Sequence, residues 1–166
     1  DRGHVYIIDE FYRRHFPEHL IPQVVLRAVR HYKASYVLPD PSSPGKVSAI
    51  RATGCPVWTR GINKWGEADD PTTGIGIMTW LLQNNLPDGS QRLYISPKCT
   101  HFKQEIESWV WPDDQRADQN RKEKPRAKAD HLMDCARYDF MGMYVLGWLS
   151  PKSSLAPQKY EARFVA

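Results

Sequence analysis

Residues 128–138 read KADHLMDCARY, and the helix they introduce decides the fold. At helical spacing Leu132, Met133, Ala136, Phe140, Met143 and Tyr144 share one face, so Asp130 to Leu149 is expected to form a long helix laid on a core. Asp130 and Asp134 stand four residues apart on the edge of that face, and Arg137 shares the edge. Like charges at this spacing cost a bare helix roughly 0.2–0.5 kcal/mol, a penalty that a cation between them removes. His131 lies beside Asp134 on the helical wheel and offers a nitrogen ligand. The competing account makes Asp130 the N-cap of the helix and Asp134 the partner of Arg137. Carboxylates without thiolates select a hard cation, magnesium or manganese, over structural zinc.

Upstream, the chain alternates strand and helix. VYIIDEFY (5–12) is β-branched and aromatic and predicts a strand. Residues 20–32 repeat Ile21, Val25, Ala28 and Tyr32 at helical spacing, with Pro22 in the first turn. Short strands are expected at 35–38 and 57–59, with a helix over 46–52 between them. A helix over 72–85, a strand over 92–95 and a helix over 100–109 follow. This order argues for an α/β sheet flanked by helices. Asp40 comes directly after the strand at 35–38 and opens the loop PDPSSPG, which prolines and glycine prevent from continuing the strand. Carboxylates at strand C-termini sit where α/β sheets bind ligands. The plainer account is an aspartate starting a turn.

Bulk properties bound the rest. The 166 residues carry a formal charge of +4, with 41% apolar and 25% charged positions. That is the size and balance of one globular domain, expected over 1–150 with a C-terminal tail at 151–166. No stretch reaches the roughly 18 apolar residues of a membrane span. Cys55, Cys99 and Cys135 are odd in number and widely spaced, which fits neither a disulfide framework nor a thiolate zinc site and suits a reducing compartment. The net positive charge favours a polyanionic partner. It is concentrated in RKEKPRAK, where Lys124, Arg126 and Lys128 precede the acidic cluster and are candidates for holding DNA phosphates. Glu105 reads either as a support for the site or as an exposed acid. Trp65 and Trp111 read as core or rim aromatics.

With these pieces in place, the sequence resembles the C-terminal nuclease domain of phage terminase large subunits. The matching stretches are VYIIDEFYRR, Asp40 with its proline-rich loop, KVSAIRATG, INKW, TGIGIMTWLL, RLYISPKCTHFKQEIESWVW and KADHLMDCARY, in family order from Val5 to Tyr138. The resemblance implies a ribonuclease-H-like mixed sheet flanked by helices. The family's first strand, with its first aspartate, would precede VYIIDEFY and lie outside this chain, and Asp9 and Glu10 do not match that ligand. It further implies a two-metal magnesium or manganese site that cuts concatemeric double-stranded DNA. Asp40 matches the second acidic ligand. Asp130, His131 and Asp134 are alternatives for the third. The implied partners are the terminase ATPase domain, the small terminase subunit and the portal protein, in the host cytoplasm, with the isolated domain a monomer. A rival expectation is a non-catalytic module that grips DNA or docks on the portal.

Overall fold

Val5, Tyr6 and Ile7 form the first strand, β1, because β-branched Val5 and Ile7 have a core to face while Tyr6 points outward. The computed structural model describes residues 4–60, 73–83, 85–108 and 131–150. Within these, β1 (Val5–Ile7) is followed by a 3₁₀ turn (Glu18–Leu20) and α1 (Ile21–Tyr32). Next come α2 (Pro44–Ala52), α3 (Gly74–Gln83), β2 (Leu93–Ile95), α4 (Thr100–Ser108) and α5 (His131–Val145). The helix over 20–32, the strand over 92–95 and the long final helix therefore stand close to where the sequence puts them. Pro22 occupies the first turn of α1, and Lys33 closes that helix in the left-handed region, at φ 52°.

β1 and β2 pair in parallel, Val5 with Leu93 through Ile7 with Ile95. A second parallel contact is a single bridge between Val37 and Val57. The sequence expects one mixed sheet containing Val5–Phe11, Ser35–Leu38 and Val57–Thr59. Among the described residues there are instead two separate parallel pairs, and the 35–38 and 57–59 strands shrink to that one bridge. Backbone direction shows why they do not join. Val5 donates to the Arg92 carbonyl (2.7 Å) and Ile7 accepts from Ser96 (2.8 Å), so both face β2. Alternation then turns the N–H and C=O of Tyr6 and Ile8 to the opposite edge. Likewise Val37 donates to Pro56 (2.9 Å) and accepts from Trp58 (2.9 Å), which turns Tyr36 and Leu38 away from that pair. Each pair thus presents a strand edge that no described strand covers.

The core lies on the β2 side. It gathers Ile77, Met78 and Leu81 of α3, Leu93 and Ile95 of β2, Phe102 and Ile106 of α4, and Met133 and Phe140 of α5. α3 is buried from Gly74 through Leu81, which makes it an internal helix. α1 contributes no buried residue. Gly142 of α5 lets that helix close on Leu38, since a Cβ there would run into the Leu38 side chain.

Candidate functional site

Asp40 is half-buried at the end of the segment that bridges to Val57. Its Oδ1 accepts the Ser42 N–H at 2.8 Å, an aspartate turn of the kind its position before proline predicts. The same Oδ1 accepts the Tyr138 hydroxyl at 2.8 Å, across 98 positions of sequence. The turn and the long-range contact are therefore one arrangement: the turn aims the carboxylate and α5 receives it. His131 lines the same cavity as Leu38 and Pro39, the two residues before Asp40. Asp134 lies one turn before Tyr138 and pairs with Arg137, whose side chain is only 1% exposed. Asp134 thus has the partner that the plainer sequence account gives it.

Among the described residues, the N–H groups at the start of α5 are held from another helix. Glu105 on α4 is 7% exposed, and its Oε2 accepts the N–H groups of Leu132 (2.7 Å) and Met133 (3.0 Å). These are the donors that an N-cap side chain would satisfy. Asp130, Lys124, Arg126 and Lys128 lie outside the described residues, as do Trp65, Trp111 and the tail over 151–166.

Two further acids close the strand end. Glu10 accepts the N–H groups of His101 (2.9 Å) and Phe102 (2.8 Å) at the start of α4, and contacts the His101 ring at 2.8 Å. Burial pushes the Glu10 carboxyl up, but the His101 and Phe102 N–H groups and the His101 ring outweigh it and hold the group below the usual glutamate range. Asp9 accepts the Tyr32 hydroxyl, which lowers Asp9 and raises Tyr32. Both acids are therefore tied to helices, Asp9 to α1 and Glu10 to α4.

A cavity of about 1080 Å³ is lined by Tyr36 and Leu38, by α1 and by Phe11. A smaller adjoining cavity runs along Tyr6 and Ile8. Leu132, Cys135 and Asp139 of α5 line both, so this face of α5 forms a common floor. Asp139 is open to solvent by its accessible surface, yet protein surrounds it closely enough that desolvation pushes its carboxyl up to about 7. We read it as an acid at the floor of a wet trough, accessible to water but poorly solvated.

Among the described residues no group of three or more His, Cys, Asp or Glu side chains is placed to hold a metal ion. Asp40, Asp134 and His131 are donors of the kind that suit a hard divalent cation, but they do not make a complete set by themselves. Tyr138 and Glu105 carry the long-range contacts of this region. Tyr138 belongs to the motif that decides the fold, yet sequence reasoning gives it no role. Its signal is a tyrosine at i+4 from Asp134, able to reach past the helix edge.

No family model and no curated protein matches the chain. Solved structures do. The large terminase of a thermophilic bacteriophage, in complex with ADP, superposes with a TM-score of 0.61 at 19% identity, over 87% of this chain and 34% of that one. A second structure of the same phage's large terminase gives a TM-score of 0.57 at 17% identity, over 86% and 34%. The chain spans about a third of the length of these structures and shares the fold of that part of a phage large terminase.

Proposed function

We propose that the chain is the nuclease part of a viral DNA-packaging motor, a ribonuclease-H-like domain cutting concatemeric double-stranded DNA at a divalent-cation site around Asp40 and the first turns of α5. The observation that carries this reading is the 2.8 Å hydrogen bond from Tyr138 to Asp40. Nothing in local structure requires a turn aspartate to meet a helix 98 positions away, whereas a shared acidic site does. The fold likeness to a phage large terminase supports it. So do the parallel pairing of β1 with β2 and the parallel bridge of Val37 to Val57, as an α/β sheet of this class would have.

In this reading Asp40, oriented by Ser42 and Tyr138, and Asp134, oriented by Arg137, contribute carboxylates, with His131 and Asp130 beside them. Bound magnesium or manganese supplies an activated water and neutralises charge on the leaving oxygen. Lys124, Arg126 and Lys128 hold neighbouring phosphates, so affinity for DNA falls steeply with salt. No described element is shaped for base readout in the major groove, so cleavage is nearly independent of sequence. The ATPase domain, small subunit and portal are the proposed partners, in the host cytoplasm.

A second reading, a platform that grips DNA or the portal while another chain cuts, is favoured by the incomplete ligand set among the described residues. Nicking of supercoiled plasmid in manganese separates the two. Nicking that Asp40→Asn abolishes supports the nuclease. Salt-sensitive DNA binding without nicking supports the platform, and nicking that Asp40→Asn leaves intact contradicts the proposed site.

A further inference from the structure

Glu105 sits in the interior with an unusual set of partners. It is 7% exposed, and its Oε2 accepts from the backbone of another helix: the N–H of Leu132 at 2.7 Å and of Met133 at 3.0 Å. A helix N-terminus leaves such N–H groups without intrahelical partners and carries partial positive charge. The usual remedy is a neighbouring side chain in the N-cap position. Here the remedy comes from 27 positions upstream, on α4. α4 is held in the same manner, its own first turn gripped by Glu10 just after β1. Two carboxylate clamps in series therefore run from the end of β1 to α4 and from α4 to α5.

We infer that Glu105 is the positioning residue of the acidic site, fixing where the first turn of α5 meets the Asp40 loop and adding negative potential there. This rests on the cation-site reading above for its functional half; the clamp itself stands on the hydrogen bonds alone. The geometry gives the residue two separable effects. Its oxygen holds the Leu132 and Met133 amides and so sets the pose of His131 and Asp134 on the same turn. Its charge offsets the positive helix end, which would otherwise repel a cation bound beside it.

Glu105→Gln keeps an acceptor oxygen of similar reach and removes the charge; Glu105→Ala removes both. Glu107→Gln, at an exposed position on α4, is the control. Two readouts are taken on each variant: amide hydrogen exchange at Leu132 and Met133, and manganese affinity from paramagnetic broadening of the His131 resonances. Glu105→Ala is expected to speed exchange at those two amides by about tenfold or more, while Phe140 and Met141 stay protected. Glu105→Gln is expected to leave exchange near wild type and weaken manganese binding by a factor of about two to five. The control changes neither. Unaltered exchange in Glu105→Ala overturns the clamp. If that variant unfolds globally, Glu105→Asp, which keeps the charge and shortens the reach by one methylene, decides the clamp: exchange at Leu132 and Met133 equal to wild type overturns it, while in Glu105→Gln manganese affinity equal to wild type overturns the charge effect. A wild-type chain that shows no manganese broadening overturns the cation site and the positioning role with it, and exchange then reports on the clamp alone.

Discussion

α5 meets the molecule with two unlike faces. On one, Met133, Ala136, Phe140 and Met141 are buried against the core formed with α3, α4 and β2, and Arg137 is buried beside them. On the other, Leu132, Cys135 and Asp139 floor a trough whose walls still expose large apolar groups, with Ile8 at 57% and Phe11 at 58%. Helices with one dry and one wet face are common, but the wet face is then polar and convex. Here it is concave, mostly apolar, and bordered by strand edges with backbone groups that no described strand pairs. The packed face therefore carries the stability of the fold, while among the described residues the open face has no layer laid on it. The candidate acidic site lies at the seam between them, where Tyr138 reaches Asp40.

Mutational costs on the two faces should be unequal. Phe140→Ala on the packed face should lower unfolding free energy in urea by about 3–5 kcal/mol, and Leu132→Ala on the open face by about 1 kcal/mol. Equal losses would break the distinction between the faces. Arg137→Ala leaves a half-buried Asp134 without this cation and should cost about 3 kcal/mol in the same assay. A loss near zero would mean that the pair contributes nothing to the seam. Gly142→Ala forces its new methyl into Leu38 and should cost about 1–3 kcal/mol. A neutral effect would show that the 36–38 segment is not seated on α5.

The remaining effect belongs to the open face and is read from its pH dependence. Asp139 titrates near 7 in the folded chain, well above the ordinary aspartate value of 3.8. The folded state therefore binds the proton more tightly than the unfolded state, and stability falls as pH rises from about 4 to 7. Asp139→Asn should raise the melting temperature above pH 7, with the gain shrinking towards zero as pH drops to 4. The same gain at every pH would show that the trough does not desolvate this carboxyl. Glu10 runs the opposite way: its lowered value contributes stability that is present above the unfolded value of 4.5 and is lost on acidification.

Much of this is legible in the sequence for identifiable reasons. α1 and α5 are readable because their apolar residues recur at helical spacing over many turns, and Asp40 because proline fixes the strand end ahead of it. The segments at 35–38 and 57–59 form less strand than their composition suggests. β-rich composition marks residues able to pair, but a long strand also needs a partner that stays in register with it, and here the partner at 57 pairs through a single bridge. In α3, Ile75, Met78 and Leu82 share a face; Gly76, Thr79 and Trp80 are also buried, which periodicity alone cannot show. The clamps by Glu10 and Glu105 are invisible in the sequence, since a carboxylate that caps a helix 27 or 91 positions away leaves no local pattern.

Whether Asp40 and the first turn of α5 form one cation site is decided by a manganese titration followed through amide resonances. Ser42 of the Asp40 turn and His131 and Leu132 of α5 are expected to broaden together at the same manganese concentration, and Asp40→Asn is expected to remove both responses. Broadening confined to one of the two segments, or broadening at both that survives Asp40→Asn, would contradict a shared site.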